Sequence, residues 1–257
     1  MRAMPIKIIS GKAGIQQMKA SFRKNWLHYL QEALGLAIFM ISACFFSGAL
    51  EAKNAALNHA IPNDFLRIVI MGILMGATAL FIFYSPFTAP SGSHINPAVT
   101  ITFFRLNKMG KWDSLFYIIF QLVGGLIAVY LMGFLMGETL TKAPVNYAVT
   151  VPGKYGTIPA ALIEFIIAFI IMTMILFTSA NERLKKHTRI FSGVCVCAFV
   201  IIAGPISGFG MNPARTIASA IPAHIYTSFW IYMIMPFGGM LAAAEVFLLA
   251  QNKKVSA

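Results

Sequence analysis

Six long apolar segments constrain this chain more than any other feature of its sequence. They cover roughly residues 29–50, 66–85, 113–137, 158–180, 189–206 and 226–250, and Gly204-Pro205 is expected to interrupt the fifth. Each is long enough to cross the ~30 Å hydrocarbon core of a bilayer, which takes ~20 helical residues. Only 11% of the 257 residues are charged, against about 25% in soluble proteins. The sequence therefore predicts an all-α integral membrane protein, with no polar stretch long enough for a separate soluble domain.

The positions of the basic residues predict how the chain is oriented. They cluster at both ends and in alternate loops, as expected for the cytoplasmic side of a cell membrane. The clusters are Arg2, Lys7, Lys12, Lys19, Arg23 and Lys24; Arg105, Lys108 and Lys111; Arg183, Lys185, Lys186 and Arg189; and Lys253 and Lys254. Both termini should face the cytoplasm. This explains the net charge of +12 without a nucleic-acid partner.

Residues 1–27 form a basic N-terminal segment with interspersed apolar side chains. Two interpretations stay open: an amphipathic helix on the anionic inner leaflet, or a solvated tail. Residues 251–257 form a cytoplasmic tail.

Two copies of Asn-Pro-Ala lie between spans, at Asn96-Pro97-Ala98 and Asn212-Pro213-Ala214. Asn favours the N-cap of a helix, and Pro favours its first turn. About ten apolar residues follow each copy, which is ~15 Å of helix and half the hydrocarbon thickness. Residues 97–106 and 213–222 are therefore predicted to be re-entrant half-helices.

The chain divides into two matching halves, residues 28–140 and 141–250. Each begins with a span that carries a glutamate, Glu32 or Glu164, and continues with a second span, a half-helix and a third span. Three spans per half place the second half in inverted topology. Broken segments at matching places in inverted repeats indicate a transport site.

Inverted halves bring the N-termini of the half-helices together near the bilayer midplane. Each N-terminus carries a partial positive charge and free backbone donors, and Asn96 and Asn212 add amide donors. Arg215 follows Asn212 by about one helical turn. Such a site holds an acceptor oxygen and repels cations. The expected cargo is a small neutral molecule.

Two stretches, residues 91–100 and 208–215, closely resemble the aquaporin, or major intrinsic protein, family. The resemblance extends from about Glu32 to Leu249. It implies a passive channel for water and small uncharged solutes such as glycerol, which excludes protons and ions and has no cofactor. It also implies six tilted helices, two half-helices, one pore per protomer and a homotetramer.

The resemblance also assigns roles to individual residues. Asn96 and Asn212 are the paired pore asparagines, and Glu32 and Glu164 are buried supports of the half-helix loops. His94 either faces the pore or steadies its loop by packing. Pore-lining carbonyls are expected from Gly92, Ser93, His94, Gly208, Phe209 and Gly210.

Four positions form the selectivity filter in this family. Three are Val200, Phe209 and Arg215. For the fourth, counting back from Asn96 gives Gly76, whereas aligning the neighbouring small residue gives Met75, which we favour. Val200 replaces the His of strict water channels and predicts a wider filter.

Other classes of function fit the sequence less well. A proton-coupled transporter needs a relay of titratable residues, and a non-conducting structural protein needs a closed pore. Ser, His and acid side chains show no spacing typical of an enzyme. Cys44, Cys195 and Cys197 lack the partner ligands of a metal site.

Overall fold

The computed structural model describes residues 11–255, with side chains for residues 13–252. Residues 1–10 of the basic N-terminal segment, with Arg2 and Lys7, and residues 256–257 of the expected tail lie outside the described residues. Within residues 11–255 the chain forms ten α-helices and three single 3-10 turns. The α-helices are α1 (Gly11–Glu51), α2 (Ala56–Ala60), α3 (Asp64–Tyr84), α4 (Pro97–Arg105), α5 (Lys111–Met136), α6 (Glu138–Thr141), α7 (Thr157–Ser179), α8 (Thr188–Ser207), α9 (Pro213–Ala223) and α10 (Phe229–Val255).

Six helices in the described part of the chain are long and apolar enough to cross a membrane: α1, α3, α5, α7, α8 and α10. Large apolar side chains cover their outer faces, and Ile127 and Phe134 are 62% and 85% exposed. Exposed apolar surface of this extent suits contact with lipid. The predicted all-α, multi-pass membrane fold is confirmed.

The half-helices are α4 and α9, with 9 and 11 residues. At 1.5 Å per residue they are about half as long as a spanning helix needs to be. Both pack against α5 and α10, and they contact each other. Their N-terminal ends therefore lie inside the bundle of spanning helices, where Asn96 and Asn212 are buried.

The two halves of the chain repeat the same helix crossing. In the first half α1 packs along α5, and in the second half α7 packs along α10. A Cβ atom on Gly124 would lie 2.2 Å from the Ala33 carbonyl oxygen, and one on Gly239 would lie 2.4 Å from that of Phe165. Since Ala33 and Phe165 directly follow the two glutamates, glycine at these crossings lets the glutamate-bearing helices approach closely.

The fifth span differs from the sequence-based expectation. An interruption at Gly204-Pro205 was predicted, but α8 continues through Pro205 to Ser207, so this prediction is wrong. Pro205 falls in the last turn, where a missing backbone N–H removes only one helical hydrogen bond. Gly208, with φ of 75°, closes the helix by donating its N–H to the Gly204 carbonyl at 2.9 Å.

The first span also begins earlier than residue 29, because α1 is one helix of 41 residues. This is ~60 Å, about twice the hydrocarbon thickness. Three donors on α1, the Ser21 and Tyr29 hydroxyls and the Asn25 amide, converge on one Asp113 carboxylate oxygen at 2.5, 2.6 and 2.9 Å. The Phe22 ring packs on Phe116 at 5.2 Å. These contacts with the start of α5 keep the basic part of α1 helical.

Removal of the Asp113 carboxylate by Asp113→Ala should loosen the basic part of α1. Hydrogen bonds to a charged group contribute about 1.5–3 kcal/mol each, so we expect cleavage after Lys19, Arg23 and Lys24 by trypsin to accelerate at least roughly tenfold. The measurement is limited proteolysis in detergent micelles. Asp64→Ala is the matched control, since the Asp64 side chain is 85% exposed. Equal cleavage rates in wild type and Asp113→Ala would contradict the role of this cluster.

Candidate functional site

Each half-helix begins with the same Asn-Pro cap. Asn96 and Asn212 have extended backbones, and proline occupies the first turn of each helix. The Asn96 Oδ1 accepts a hydrogen bond from the Ala98 N–H at 2.9 Å, and the Asn212 Oδ1 accepts from that of Ala214 at 3.0 Å. The side-chain oxygens are thus used inside their own helices, which leaves both amide nitrogens free to donate elsewhere.

The two amide groups join the half-helices to each other. The Asn96 Nδ2 donates to the Met211 carbonyl at 2.9 Å, and the Asn212 Nδ2 donates to the Ile95 carbonyl at 2.6 Å. An amide nitrogen carries two hydrogens, so one N–H of each asparagine is left over. Both asparagines line the same cavity. The structure therefore brings these predicted residues together at the meeting point of α4 and α9.

Glu32 organises the loop before α4. It is fully buried, and its carboxylate accepts from the Ser91 hydroxyl at 2.6 Å and from the backbone N–H groups of His94 and Ile95 at 2.9 and 2.6 Å. The Gln121 side chain donates a fourth bond at 2.8 Å. All four partners are donors, which suits an acceptor-only carboxylate.

Glu164 repeats this arrangement before α9. It is fully buried and accepts from the Ser207 hydroxyl at 2.6 Å and from the Gly210 N–H at 2.8 Å. The Met211 N–H is a third donor. Buried carboxylates are expensive unless they are paired or hydrogen-bonded in this way. Both glutamates point into the loops and away from lipid.

The two loops also share an unusual backbone. The residues one, three and four positions before each asparagine have positive φ: Gly92, Ser93 and Ile95 before α4, and Gly208, Phe209 and Met211 before α9. Non-glycine residues rarely adopt this conformation, and it persists only where the surroundings enforce it. The turned backbone presents two adjacent N–H groups to each glutamate.

One cavity of 260 Å³ lies on the side of the half-helix junction that faces the C-terminal end of α1; we call it the Arg215 cavity. Met75, Val200, Phe209 and Arg215 line it, together with Glu51 and Gly208. Gly76 does not line it, and a Cβ atom there would lie 2.7 Å from the Cys197 Cβ. Met75 and Gly76 thus point in different directions: Met75 faces the cavity and Gly76 faces α8.

Arg215 brings an unsatisfied buried donor to the Arg215 cavity. It is only 9% exposed, and in the described part of the chain its Nη1 has no hydrogen-bond partner. Its backbone N–H donates to the Asn212 Oδ1 at 3.3 Å. A guanidinium with free N–H groups in a cavity is a donor for an acceptor oxygen.

The second cavity, of 360 Å³, lies on the other side of the junction; we call it the His94 cavity. Gly92, Ser93, His94, Gly210 and the two asparagines line it. Phe39 and Phe209 line both cavities and mark the boundary between them. The His94 Nδ1 lies 3.2 Å from the Thr100 hydroxyl, and its ring stacks on Phe103 at 4.7 Å. His94 is therefore both packed and cavity-lining.

These features, two Asn-capped half-helices between two cavities, agree with the family comparison. Residues 19–247 match the family model "Major intrinsic protein". The chain belongs to the major intrinsic protein family. It is a passive membrane channel for water and small solutes.

Relatives from plants share the sequence over most of its length. A "Probable aquaporin NIP-type" from Nicotiana alata is 40% identical over 87% of this chain and 77% of its own. "Aquaporin NIP1-2" from Arabidopsis thaliana is 30% identical over 85% of this chain and 72% of its own. An aquaglyceroporin structure from Plasmodium falciparum superposes with a TM-score of 0.72 at 19% identity, covering 86% of this chain and 94% of that one. The similarity to this structure shows a shared fold.

Sequence reasoning missed several residues that hold the two loops of this major intrinsic protein. The Tyr117 hydroxyl donates to the Ser91 carbonyl at 2.7 Å, and the Tyr232 hydroxyl donates to the Ser207 carbonyl at 2.6 Å. A signal was present, because each serine lies five residues before its asparagine. Aligning the halves on Asn96 and Asn212 would have paired the two serines. It would not have paired the tyrosines, because Tyr117 lies one residue further from its asparagine than Tyr232 does.

Glu51 was also missed, although it lines the Arg215 cavity. Its carboxylate lies 3.3 Å from Arg67, whose guanidinium also reaches Asp64 at 2.6 Å. Because Glu51 shares the Arg67 guanidinium with Asp64, its carboxylate does not stand alone at the mouth of the cavity. No periodicity or motif links residues 51 and 67, and only the packing of α1 against α3 reveals the pair.

Proposed function

We propose that this major intrinsic protein conducts water and small uncharged solutes such as glycerol, and excludes protons and ions. The observation that carries the proposal is the reciprocal pair of bonds between Asn96 and Met211 and between Asn212 and Ile95. It directs the remaining amide N–H groups to one point of the passage. A solute oxygen finds donors there, whereas a cation is repelled by the same N–H groups and by the positive ends of two helices.

The backbone carbonyls of the two loops are proposed to carry the solute between the cavities. Gly92, Ser93 and His94 serve the His94 cavity, Gly208 and Phe209 serve the boundary and the Arg215 cavity, and Gly210 serves the junction. The carboxylates of Glu32 and Glu164 hold the N–H groups of these loops on the opposite side. Acceptors on one wall and amide donors at the junction would orient each molecule in turn.

The proposed filter has an apolar wall and one polar corner. Met75, Val200 and Phe209 supply the wall, and the Arg215 guanidinium supplies the donors. A molecule such as glycerol has one edge of C–H groups and one edge of hydroxyls, so it can match both parts of this filter at once. Water needs only the polar corner. We therefore propose that both pass, with Met75 as the fourth filter position.

The flux test uses proteoliposomes and stopped-flow light scattering. We expect an osmotic water permeability well above that of protein-free vesicles, and a glycerol permeability above that of sucrose. Water permeability equal to that of protein-free vesicles would refute the channel proposal and favour a non-conducting structural protein. Glycerol reflected as completely as sucrose would refute only the solute proposal. Solute accumulation driven uphill by a pH gradient would indicate the alternative, a proton-coupled transporter.

We also propose that both termini face the cytoplasm and that four chains assemble in the cell membrane. Lys185 and Arg189 line the mouth of the His94 cavity, and basic residues favour the cytoplasmic face. Protease treatment of right-side-out vesicles should therefore spare the C-terminal tail; digestion of the tail would contradict this orientation.

Chemical cross-linking in native membranes tests the proposed tetramer. It should produce a ladder of cross-linked species that ends at four chains, and a ladder ending at two chains would exclude the tetramer.

A further inference from the structure

A short loop segment outside the predicted site lies directly against the filter side of the second repeat. It comprises residues 150–153, just before α7. The Gly153 N–H donates to the Ile206 carbonyl at 2.9 Å. A Cβ atom on Gly153 would lie 2.0 Å from the Pro205 carbonyl oxygen. The segment is therefore in backbone contact with the last turn of α8, which leads straight into Gly208 and Phe209.

The same segment reaches the first turn of α9. The Thr150 hydroxyl donates to the Thr216 hydroxyl at 3.0 Å, across 66 residues of sequence. Both side chains are buried, with 3% and 0% exposed. Thr216 directly follows Arg215, so this bond attaches the loop to the turn of helix that carries the guanidinium.

The first repeat shows what this bond replaces. Thr100 occupies the position equivalent to Thr216, four residues after the asparagine, and its hydroxyl contacts His94 Nδ1 and Gln121 Nε2, both at 3.2 Å. In the second repeat the residue two before the asparagine is Gly210, and the residue four after the tyrosine is Pro236. Neither has a side chain that can bond to Thr216. The partner comes from the loop instead.

We propose that Thr150 is a positioning residue for the selectivity filter, acting through Thr216 on Arg215. The loop bond holds the first turn of α9 against the end of α8, and thereby sets the distance between the Arg215 guanidinium and the apolar wall. The proposal rests on the proposed function of the filter. Without the bond the α9 turn is free to shift outwards, and the larger solute gains more from the wider passage than water does.

The test is the ratio of glycerol to water permeability in proteoliposomes containing equal amounts of channel. We expect Thr150→Val, which keeps the side-chain shape but removes the hydroxyl, to raise this ratio at least about twofold, the effect of a coupling near 0.5 kcal/mol. Thr150→Ser, which retains the hydroxyl, should restore the wild-type ratio. Thr216→Val should reproduce the change. The glycerol-to-water ratio of the double variant should be no higher than that of either single variant, because each substitution removes the same bond.

The matched control is Thr178→Val. Thr178 accepts a comparable hydroxyl–hydroxyl bond from Thr188 at 2.9 Å, near the mouth of the His94 cavity and far from the filter. The glycerol-to-water permeability ratio of Thr178→Val should equal that of wild type. The inference is overturned if Thr150→Val keeps the wild-type ratio, if the two single changes add in the double variant, or if Thr178→Val shifts the ratio equally. Absence of water flux in the wild type would instead refute the proposed function itself.

Discussion

Substitution of Glu164 by alanine should prevent the second half-helix loop from folding and abolish water flux. Three buried donors, the Ser207 hydroxyl and the N–H groups of Gly210 and Met211, would lose their acceptor. Each unsatisfied buried donor costs about 1–3 kcal/mol, so the total loss is about 3 kcal/mol or more. This is a large part of the ~5–15 kcal/mol that stabilises a typical folded protein.

Glu32→Ala should be at least as damaging, because four donors converge on that carboxylate. The measurements are the yield of monodisperse protein in detergent and the water permeability per molecule. Glu245→Ala is the control: its carboxylate is half exposed in an ion pair with Arg105 at 2.8 Å, and exposed pairs contribute at most about 1 kcal/mol. Normal yield and flux in Glu164→Ala would show that the carboxylate does not hold the loop.

Val200→His should convert the filter towards water selectivity. Val200 is 8% exposed and faces the Arg215 cavity beside Met75 and Phe209. A histidine there fills space and replaces part of the apolar wall with a polar ring. Glycerol loses both room and its contact for C–H groups, so we expect its permeability to fall about tenfold, equivalent to ~1.4 kcal/mol of barrier. Water needs neither the extra room nor the apolar contact, so its permeability should fall far less.

Two controls separate the causes of the Val200→His effect. Val200→Leu adds bulk without polarity, so a comparable loss of glycerol flux there would assign the effect to size alone. Val194→His places the same ring on the lipid-facing side of α8, where Val194 is 57% exposed, and should leave the glycerol-to-water ratio unchanged. Equal losses of water and glycerol in Val200→His would contradict a filter that includes Val200.

Most of the fold could be predicted because each part of it follows from a local rule. Apolar runs of ~20 residues must become helices in lipid, since no water is present to bond their backbones. An Asn-Pro pair favours the start of a helix, and the two short helices do begin at Pro97 and Pro213. The expected interruption at Gly204-Pro205 was wrong because the local rule that proline breaks a helix ignores where the proline lies. In the last turn of a helix, proline costs little.

The candidate site was predictable only where its residues recur in both halves. Asn96 and Asn212 stand out because one motif occurs twice, and Glu32 and Glu164 stand out because each opens a half. Tyr117, Gln121 and Thr150 have no motif of their own. Their roles depend on which carbonyl, carboxylate or hydroxyl the packing brings to them.

The sequence by itself determined the six spans, the two half-helices and the pairing of the asparagines, because hydrophobic length and helix capping act over neighbouring residues. Only the tertiary structure decided which of Met75 and Gly76 faces the Arg215 cavity, since a shift of one residue turns a helical side chain by ~100°. It alone joined Thr150 to Thr216 and Glu51 to Arg67. Contacts between distant parts of a chain depend on how complete helices pack, which no local pattern records.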